Sequence, residues 1–133
     1  MARDLTVRWR EGLLFEGGAA GKPTIAVDGD GQAATSPVEL LLLAAATCSG
    51  ADVVSILEKQ RVQLRTLEMS MSGTRRAEHP RRYTSIRFRF SISGSGVDET
   101  KARRAIDLSI EKYCSVLASL APDIDVAYDL TIR

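Results

Sequence analysis

Hydrophobic and polar residues alternate in several short segments of the chain. Leu5, Val7 and Trp9 alternate with polar residues, which is the period of a half-buried strand. Residues 23–27 predict a second short strand. The glycine-rich residues 17–21 predict a loop, and residues 28–31 (Asp-Gly-Asp-Gly) predict a turn. The first third of the chain is therefore predicted to consist of short strands.

Three later segments show the same alternation over residues 67–71, 85–92 and 124–132. In the second of these, Ile86, Phe88, Phe90 and Ile92 face one way, whereas serine and arginine residues face the other. The first two segments flank a polar turn at His79, so we expect an antiparallel pair with one face in water.

Two segments predict helices. Ser36 is expected to be an N-cap, with Pro37 at the first helical position and Glu39 completing a capping box. Residues 40–57 are apolar nearly all round, which predicts a helix buried on every side. Asp98 caps a second predicted helix, whose apolar positions recur every three or four residues: Ala102, Ala105, Ile106, Ile110, Tyr113, Cys114 and Leu117.

These elements predict a single α+β domain over residues 1–133, with an antiparallel sheet packed on a buried central helix and a second helix. One sheet and one partner helix leave part of an all-apolar helix uncovered. We therefore expect a homodimer that buries the remaining face.

Composition and charge exclude several classes of protein. Hydrophobic residues make up 44% of the chain and charged residues 26%, which is typical of globular proteins and excludes a disordered chain. The net charge of +1 provides no field to attract nucleic acid or an anionic membrane. The longest unbroken apolar stretch, residues 40–46, is shorter than the ~20 residues of a membrane span. Because the N-terminus has no apolar signal-peptide core, we expect a cytoplasmic protein.

The two cysteines are the strongest candidates for chemistry. Cys48 lies in the predicted central helix and Cys114 on the inward stripe of the second, so folding can bring the two sulfurs together. Two inert, buried thiols are the alternative interpretation, because cysteine is often a core residue. A reactive thiol must ionise, and burial among apolar residues opposes ionisation. A nearby cation is then needed, and Arg8 and Arg10 are candidates.

Other polar residues have simpler structural interpretations. Glu39 is a candidate catalytic carboxylate, although its place in the capping box already accounts for it. His79 is better explained as a turn residue than as a general base, and one histidine with two distant cysteines makes a poor zinc site. An arginine-rich strand face favours solvent exposure over nucleic-acid binding because exposed aromatic residues are not interleaved with it: Arg75, Arg76, Arg81, Arg82, Arg87 and Arg89.

Several motifs occur in the order found in the OsmC/Ohr family. Residues 36–41, 46–48 and 52–57 resemble the central helix of that family, and residues 79–83 and 111–116 resemble two further signatures. The resemblance covers most of the chain, and it is closest to the OsmC-like, YhfA-like branch. It implies an OsmC-like fold, and an intertwined homodimer with two active sites at the subunit interface.

The resemblance also implies a chemistry. Family members reduce organic hydroperoxides, and the positions imply a peroxidatic Cys48, a resolving Cys114 and thiolate activation by Arg10. An external dithiol would reduce the resulting disulfide, and neither a metal nor an organic cofactor is expected because sulfur carries the electrons. In typical hydroperoxidases a glutamate follows the helix-starting proline directly, whereas here Val38 does and Glu39 comes one residue later.

The leading hypothesis is therefore a thiol-dependent peroxidase that acts on organic hydroperoxides. The departure at Val38 favours an alternative, a non-catalytic dimer that senses redox state or binds an apolar ligand. We expect neither a nucleic acid nor a membrane to be a partner.

Overall fold

The computed structural model describes residues 3–133. These residues form six strands and three α-helices, which confirms the predicted α+β class. The chain divides into two compact units, residues 1–41 and Leu42–Arg133, which are described separately. That the whole chain forms a single domain stays a prediction.

The first unit contains a three-stranded antiparallel sheet in the order β1-β2-β3. Its strands are β1 (Leu5–Glu11), β2 (Leu14–Ala19) and β3 (Ile25–Asp28). The glycines at 17 and 18, predicted to lie in a loop, belong to β2 instead. A Cβ on Gly17 would lie 2.7 Å from the backbone oxygen of Thr6, so glycine here permits the close approach of β1.

The predicted capping box begins the first helix, α1 (Pro37–Lys59). The Ser36 backbone N–H donates to Glu39 Oε1 at 3.0 Å, and the Glu39 N–H donates to Ser36 Oγ at 3.3 Å. Hydrogen bonds to the Glu39 carboxylate from the Ser36 backbone N–H, and secondarily from the Ser36 hydroxyl, lower the pKa of this carboxyl. Helix α1 is long and apolar enough to cross a membrane, a criterion that the central helices of soluble proteins also meet. The length of the longest unbroken apolar stretch therefore underestimates how apolar α1 is. The absence of a membrane partner stays a prediction.

The prediction that α1 is buried on every side is wrong for the single chain. Its buried residues begin only at the third turn and lie on one side of the helix: Ala45, Ala46, Ser49, Gly50, Val53 and Leu57. Leu41 and Leu43, in contrast, are exposed. The predicted burial of β1 is also wrong, because Leu5, Val7 and Trp9 are 64–67% exposed. Burial depends on what covers a face, which hydrophobic periodicity does not specify.

The second unit contains a sheet of three strands in the order β4-β5-β6. The predicted antiparallel pair is confirmed as β4 (Gln63–Arg75) and β5 (Tyr83–Ser95). The last strand, β6 (Asp125–Ile132), is parallel to β5, so the sheet is mixed rather than wholly antiparallel. A helical crossover between β5 and β6 allows the parallel pairing. The inward residues of β5 form the centre of the core: Ile86, Phe88, Phe90 and Ile92.

The second predicted helix is interrupted. Helix α2 (Glu99–Leu108) begins at the predicted cap, where the Lys101 backbone N–H donates to Asp98 Oδ1 at 2.8 Å. A π-helical turn (Ser109–Tyr113) follows, then Cys114 in an extended conformation, and then the four-residue helix α3 (Ser115–Ala118). The turn also leaves Tyr113 50% exposed, although the sequence predicts it on the inward stripe.

Candidate functional site: the cysteine pair

Cys48 lies in the middle of α1 and is half-buried. The residues that follow it, Ser49 and Gly50, are buried: Ser49 contacts Ser109 of the π-helical turn, and Gly50 lies against β4. A Cβ on Gly50 would lie 2.6 Å from Met69 Cε, so the glycine allows β4 side chains to approach α1. Small residues thus let α1 pack closely while its Cys48 side remains partly accessible.

Cys114 is 3% exposed and lies directly after the π-helical turn. Its backbone N–H donates to the Ser109 carbonyl at 2.8 Å, which closes the turn. A π-helical turn contains one residue more than an α-helical turn and changes the direction of the side chains that follow. Cys114 is therefore positioned by a helix break and not by the regular helical stripe predicted from the sequence.

The fold brings the two thiols together. Both are free cysteines, and Cys48 is a near neighbour that affects the ionisation of the Cys114 thiol. Burial raises the pKa of Cys114, the backbone amides of Leu117 and Val116 oppose this effect, and the interaction with Cys48 adds to it. Two adjacent thiols can form a disulfide when one of them is oxidised.

A buried polar network joins α1 to the π-helical turn. Ser109 Oγ lies 2.9 Å from Ser49 Oγ and 2.8 Å from Asp52 Oδ2, and both serines are fully buried. A hydroxyl has one proton and an ionised carboxylate only accepts, so Ser109 donates to Asp52 and accepts from Ser49. This network was not predicted from the sequence. The only available signal was Asp52, one helical turn after Cys48 on the same face.

The remaining predicted site residues lie in the first unit. Arg10 forms an ion pair with Glu16, and Arg8 lies on the same exposed strand. The Glu39 carboxylate is engaged by Ser36 at the start of α1. The catalytic roles of Arg10 and Glu39 therefore stay predictions, whereas the capping role of Glu39 is observed.

His79 and the arginines around it form the turn between β4 and β5. The His79 carbonyl accepts from Arg76, and Arg82 forms an ion pair with Asp123. On the outer face of the sheet, Arg87 forms an ion pair with Asp129. Among residues 3–133, no group of three or more histidine, cysteine or acidic residues is arranged to hold a metal ion.

The fold and the adjacent thiols define a class: α+β proteins with a cysteine pair between a central helix and a helix break. The family model described as OsmC-like protein matches residues 29–129. The chain is 40% identical to Protein YhfA of Escherichia coli strain K12 over 127 residues, which is 95% of each chain. The chain therefore belongs to the OsmC-like family.

Solved structures share this fold. A hypothetical protein from Aquifex aeolicus VF5 has a TM-score of 0.87 and 27% identity, covering 100% of this chain and 98% of its own. The organic hydroperoxide resistance protein OhrB of Bacillus subtilis has a TM-score of 0.64 and 18% identity, covering 98% of both chains. OsmC/Ohr proteins are generally dimeric.

Proposed function

We propose that this protein is a thiol-dependent peroxidase that reduces organic hydroperoxides to alcohols. The observation that carries the proposal is the proximity of Cys48 and Cys114, two free thiols far apart in the sequence. Membership of the OsmC-like family and the name of the OhrB neighbour support the choice of substrate class.

The proposed cycle balances without a cofactor. The Cys48 thiol gives up a proton, and its thiolate attacks the outer peroxide oxygen. The O–O bond breaks and the departing alkoxide takes up a proton, so the products are an alcohol and Cys48 sulfenic acid. The Cys114 sulfur then displaces the sulfenic oxygen, which leaves as water, and a Cys48–Cys114 disulfide forms. An external dithiol returns two electrons and two protons to the pair and itself becomes a disulfide.

The environments of the two thiols support the order of these roles. Cys48 is half-buried, so a peroxide can reach it more easily than Cys114, which is 3% exposed. Burial also raises the pKa of Cys114, and a thiol that keeps its proton is a poor first nucleophile. Cys48 is therefore assigned the peroxidatic role and Cys114 the resolving role. Arg10, which is paired with Glu16, is assigned to stabilise the Cys48 thiolate, as the family resemblance implies.

We propose that the active form is a homodimer. Leu5, Val7 and Trp9 expose apolar surface along β1, and isolated monomers seldom leave such a face in water. An apolar cavity of about 330 Å³ within the first unit adds to this surface, with Phe15 and Leu40 in its wall. A second copy of the chain would cover both.

A second candidate function is a non-catalytic dimer that senses redox state or binds an apolar ligand. The observation that favours it is the helix start, where Val38 follows the proline and the Glu39 carboxylate is engaged by Ser36. With that carboxylate capping α1, it is not free to orient an activating arginine. The pair would then oxidise slowly and without preference among peroxides.

The test compares turnover with cumene hydroperoxide and with hydrogen peroxide, using the reduced protein and dithiothreitol. We expect rapid turnover with the organic peroxide and a Cys48–Cys114 disulfide in the peptide map. Cys48→Ser should abolish turnover, whereas Cys114→Ser should undergo one oxidation and accumulate sulfenic acid. Slow, unselective oxidation of both thiols would instead support the sensor, and an equally active Cys48→Ser variant would rule out the peroxidase cycle.

A further inference from the structure

The second unit contains a cavity of about 430 Å³ that the proposed peroxidase cycle does not use. It lies between the second half of α1 and the end of α2. Its polar wall contains Asp52, Ser55 and Lys59 from α1, Gln60 directly after α1, and Arg104 from α2. Lys59 and Arg104 donate hydrogen bonds and cannot accept them, so this part of the wall suits a ligand that accepts hydrogen bonds.

Two cations of this wall have no protein partner. Lys59 and Arg104 line the cavity, are exposed to solvent, and form no ion pair or side-chain hydrogen bond within residues 3–133. Gln60 Nε2, in contrast, is buried with almost no accessible surface, so this atom does not face the cavity. The lysine and the arginine are therefore the groups available to a ligand.

The charges of the cavity select the type of ligand. Lys59 and Arg104 contribute two positive charges and Asp52 one negative charge, which leaves one positive charge in excess. Asp52 Oδ2 is already engaged by Ser109, so the carboxylate is held in place. A ligand with a single negative charge balances the excess, whereas a dianion would be repelled by Asp52.

The remaining wall is apolar. Ile56 and Leu108 are half-buried and line the cavity together with Tyr113, the residue that precedes Cys114. A volume of about 430 Å³ is in the range of small-molecule sites, which combine apolar walls with a few polar groups. Inorganic anions would leave these apolar side chains without contact, so an organic body is favoured.

We propose that this cavity binds an organic monocarboxylate. The carboxylate lies between Lys59 and Arg104, and the apolar body of the ligand lies along Ile56 and Leu108. This site does not depend on the proposed peroxidase activity, because its binding groups are distinct from the two thiols.

The first experiment titrates the reduced, ¹⁵N-labelled protein with octanoate and, separately, with octan-1-ol. Both probes have the same apolar chain, and only octanoate carries charge. We expect octanoate to shift the amide signals of residues 56–60 and 104–108, with an affinity at least about 10-fold above that of octan-1-ol and falling as salt is added. Equal affinities for the two probes would overturn the proposal, as would octanoate shifts confined to other residues.

The second experiment removes each donor in turn. Lys59→Gln and Arg104→Gln should each weaken octanoate binding by about 3- to 10-fold and leave octan-1-ol binding unchanged. Arg65→Gln is the matched control, because Arg65 is exposed on β4 and removes the same charge away from the cavity. A loss of equal size in the control would show that only net charge matters and would overturn the proposal.

Discussion

Replacing Ser109 by alanine should destabilise the protein by an amount that the geometry of its network allows us to work out. Ser109→Ala removes the hydroxyl between Ser49 and Asp52, at 2.9 and 2.8 Å. A hydrogen bond to a charged group contributes about 1.5–3 kcal/mol. Asp52 is only half-buried and borders an open cavity, so water can replace part of the lost bond. We therefore expect a loss of about 2 kcal/mol in the free energy of unfolding.

Replacing Ser49, the other serine of the network, gives a second free-energy change and tests whether the two serines are coupled. Ser49→Ala leaves the bond from Ser109 to Asp52 intact, so it should cost only about 1 kcal/mol. Once Ser109 is alanine, the Ser49 hydroxyl has no acceptor in the π-helical turn. Replacing Ser49 in that background should therefore lower the free energy of unfolding little further. The double variant should therefore lose about 2 kcal/mol rather than the sum of about 3, a coupling of about 1 kcal/mol.

The assay is urea unfolding of the reduced protein at one fixed protein concentration, because dimerisation would make stability depend on concentration. Ser115→Ala is the control: Ser115 is exposed beside Cys114, and its substitution should stay within about 0.5 kcal/mol of wild type. A thermal scan should place Ser109→Ala about 6–10 °C below wild type. If Ser109→Ala matched the control, or if the two serine substitutions were additive, the proposed network would be refuted.

Three further predictions concern acid stability, thiol ionisation and assembly. Because the pKa of Glu39 is lowered in the folded protein, the stability that this carboxylate contributes should be lost as the pH falls from about 4.5 through its folded pKa. In pH-dependent urea unfolding, Glu39→Gln should therefore lose less stability in acid than the wild type. An identical loss would contradict this prediction. In Cys48→Ser, the rate at which iodoacetamide modifies Cys114 should rise with pH, with a midpoint above the usual thiol pKa. The reason is that burial, the main cause of the raised pKa of Cys114, is still present in this variant. A midpoint at or below the usual thiol pKa would contradict this prediction. Val7→Lys should raise the dissociation constant of the proposed dimer about 100-fold in analytical ultracentrifugation, because it places a charge on the apolar face of β1. Arg8→Ala, on the opposite face of β1, should leave the constant unchanged. Equal effects of the two substitutions would argue against a dimer through the apolar face.

Local hydrogen bonding explains which parts of the fold could be predicted from sequence. The capping box at Ser36 and Glu39 and the cap at Asp98 involve residues three positions apart, so the sequence contains the whole interaction. The alternation around Phe88 and Phe90 fixed the inward face of β5 for a similar reason. The order of the motifs was then enough to indicate the OsmC-like family, and the family model confirmed it.

The interruption after Leu108 could not be predicted in this way. Residues 99–117 keep a continuous helical spacing, and the turn that interrupts them is accompanied by hydrogen bonds from Ser109 to residues of α1, 57 and 60 positions away. Hydrophobic periodicity contains no information about such distant partners. For the same reason, the exposure of Leu5 and Val7 depends on a covering surface that the pattern does not identify.

The helix break also bears on how the two thiols divide the proposed work. A raised pKa would disable Cys114 as the nucleophile that meets peroxide from solution, because few molecules would hold it as a thiolate. It need not disable the second step, since an adjacent thiol attacks Cys48 sulfenic acid as an intramolecular partner at high effective concentration. Its proton can pass to the departing sulfenic oxygen as that oxygen leaves as water. A buried, protonated Cys114 held against a more accessible Cys48 is therefore suited to resolving and not to initiating, and the π-helical turn at Ser109 is the local feature that places it there.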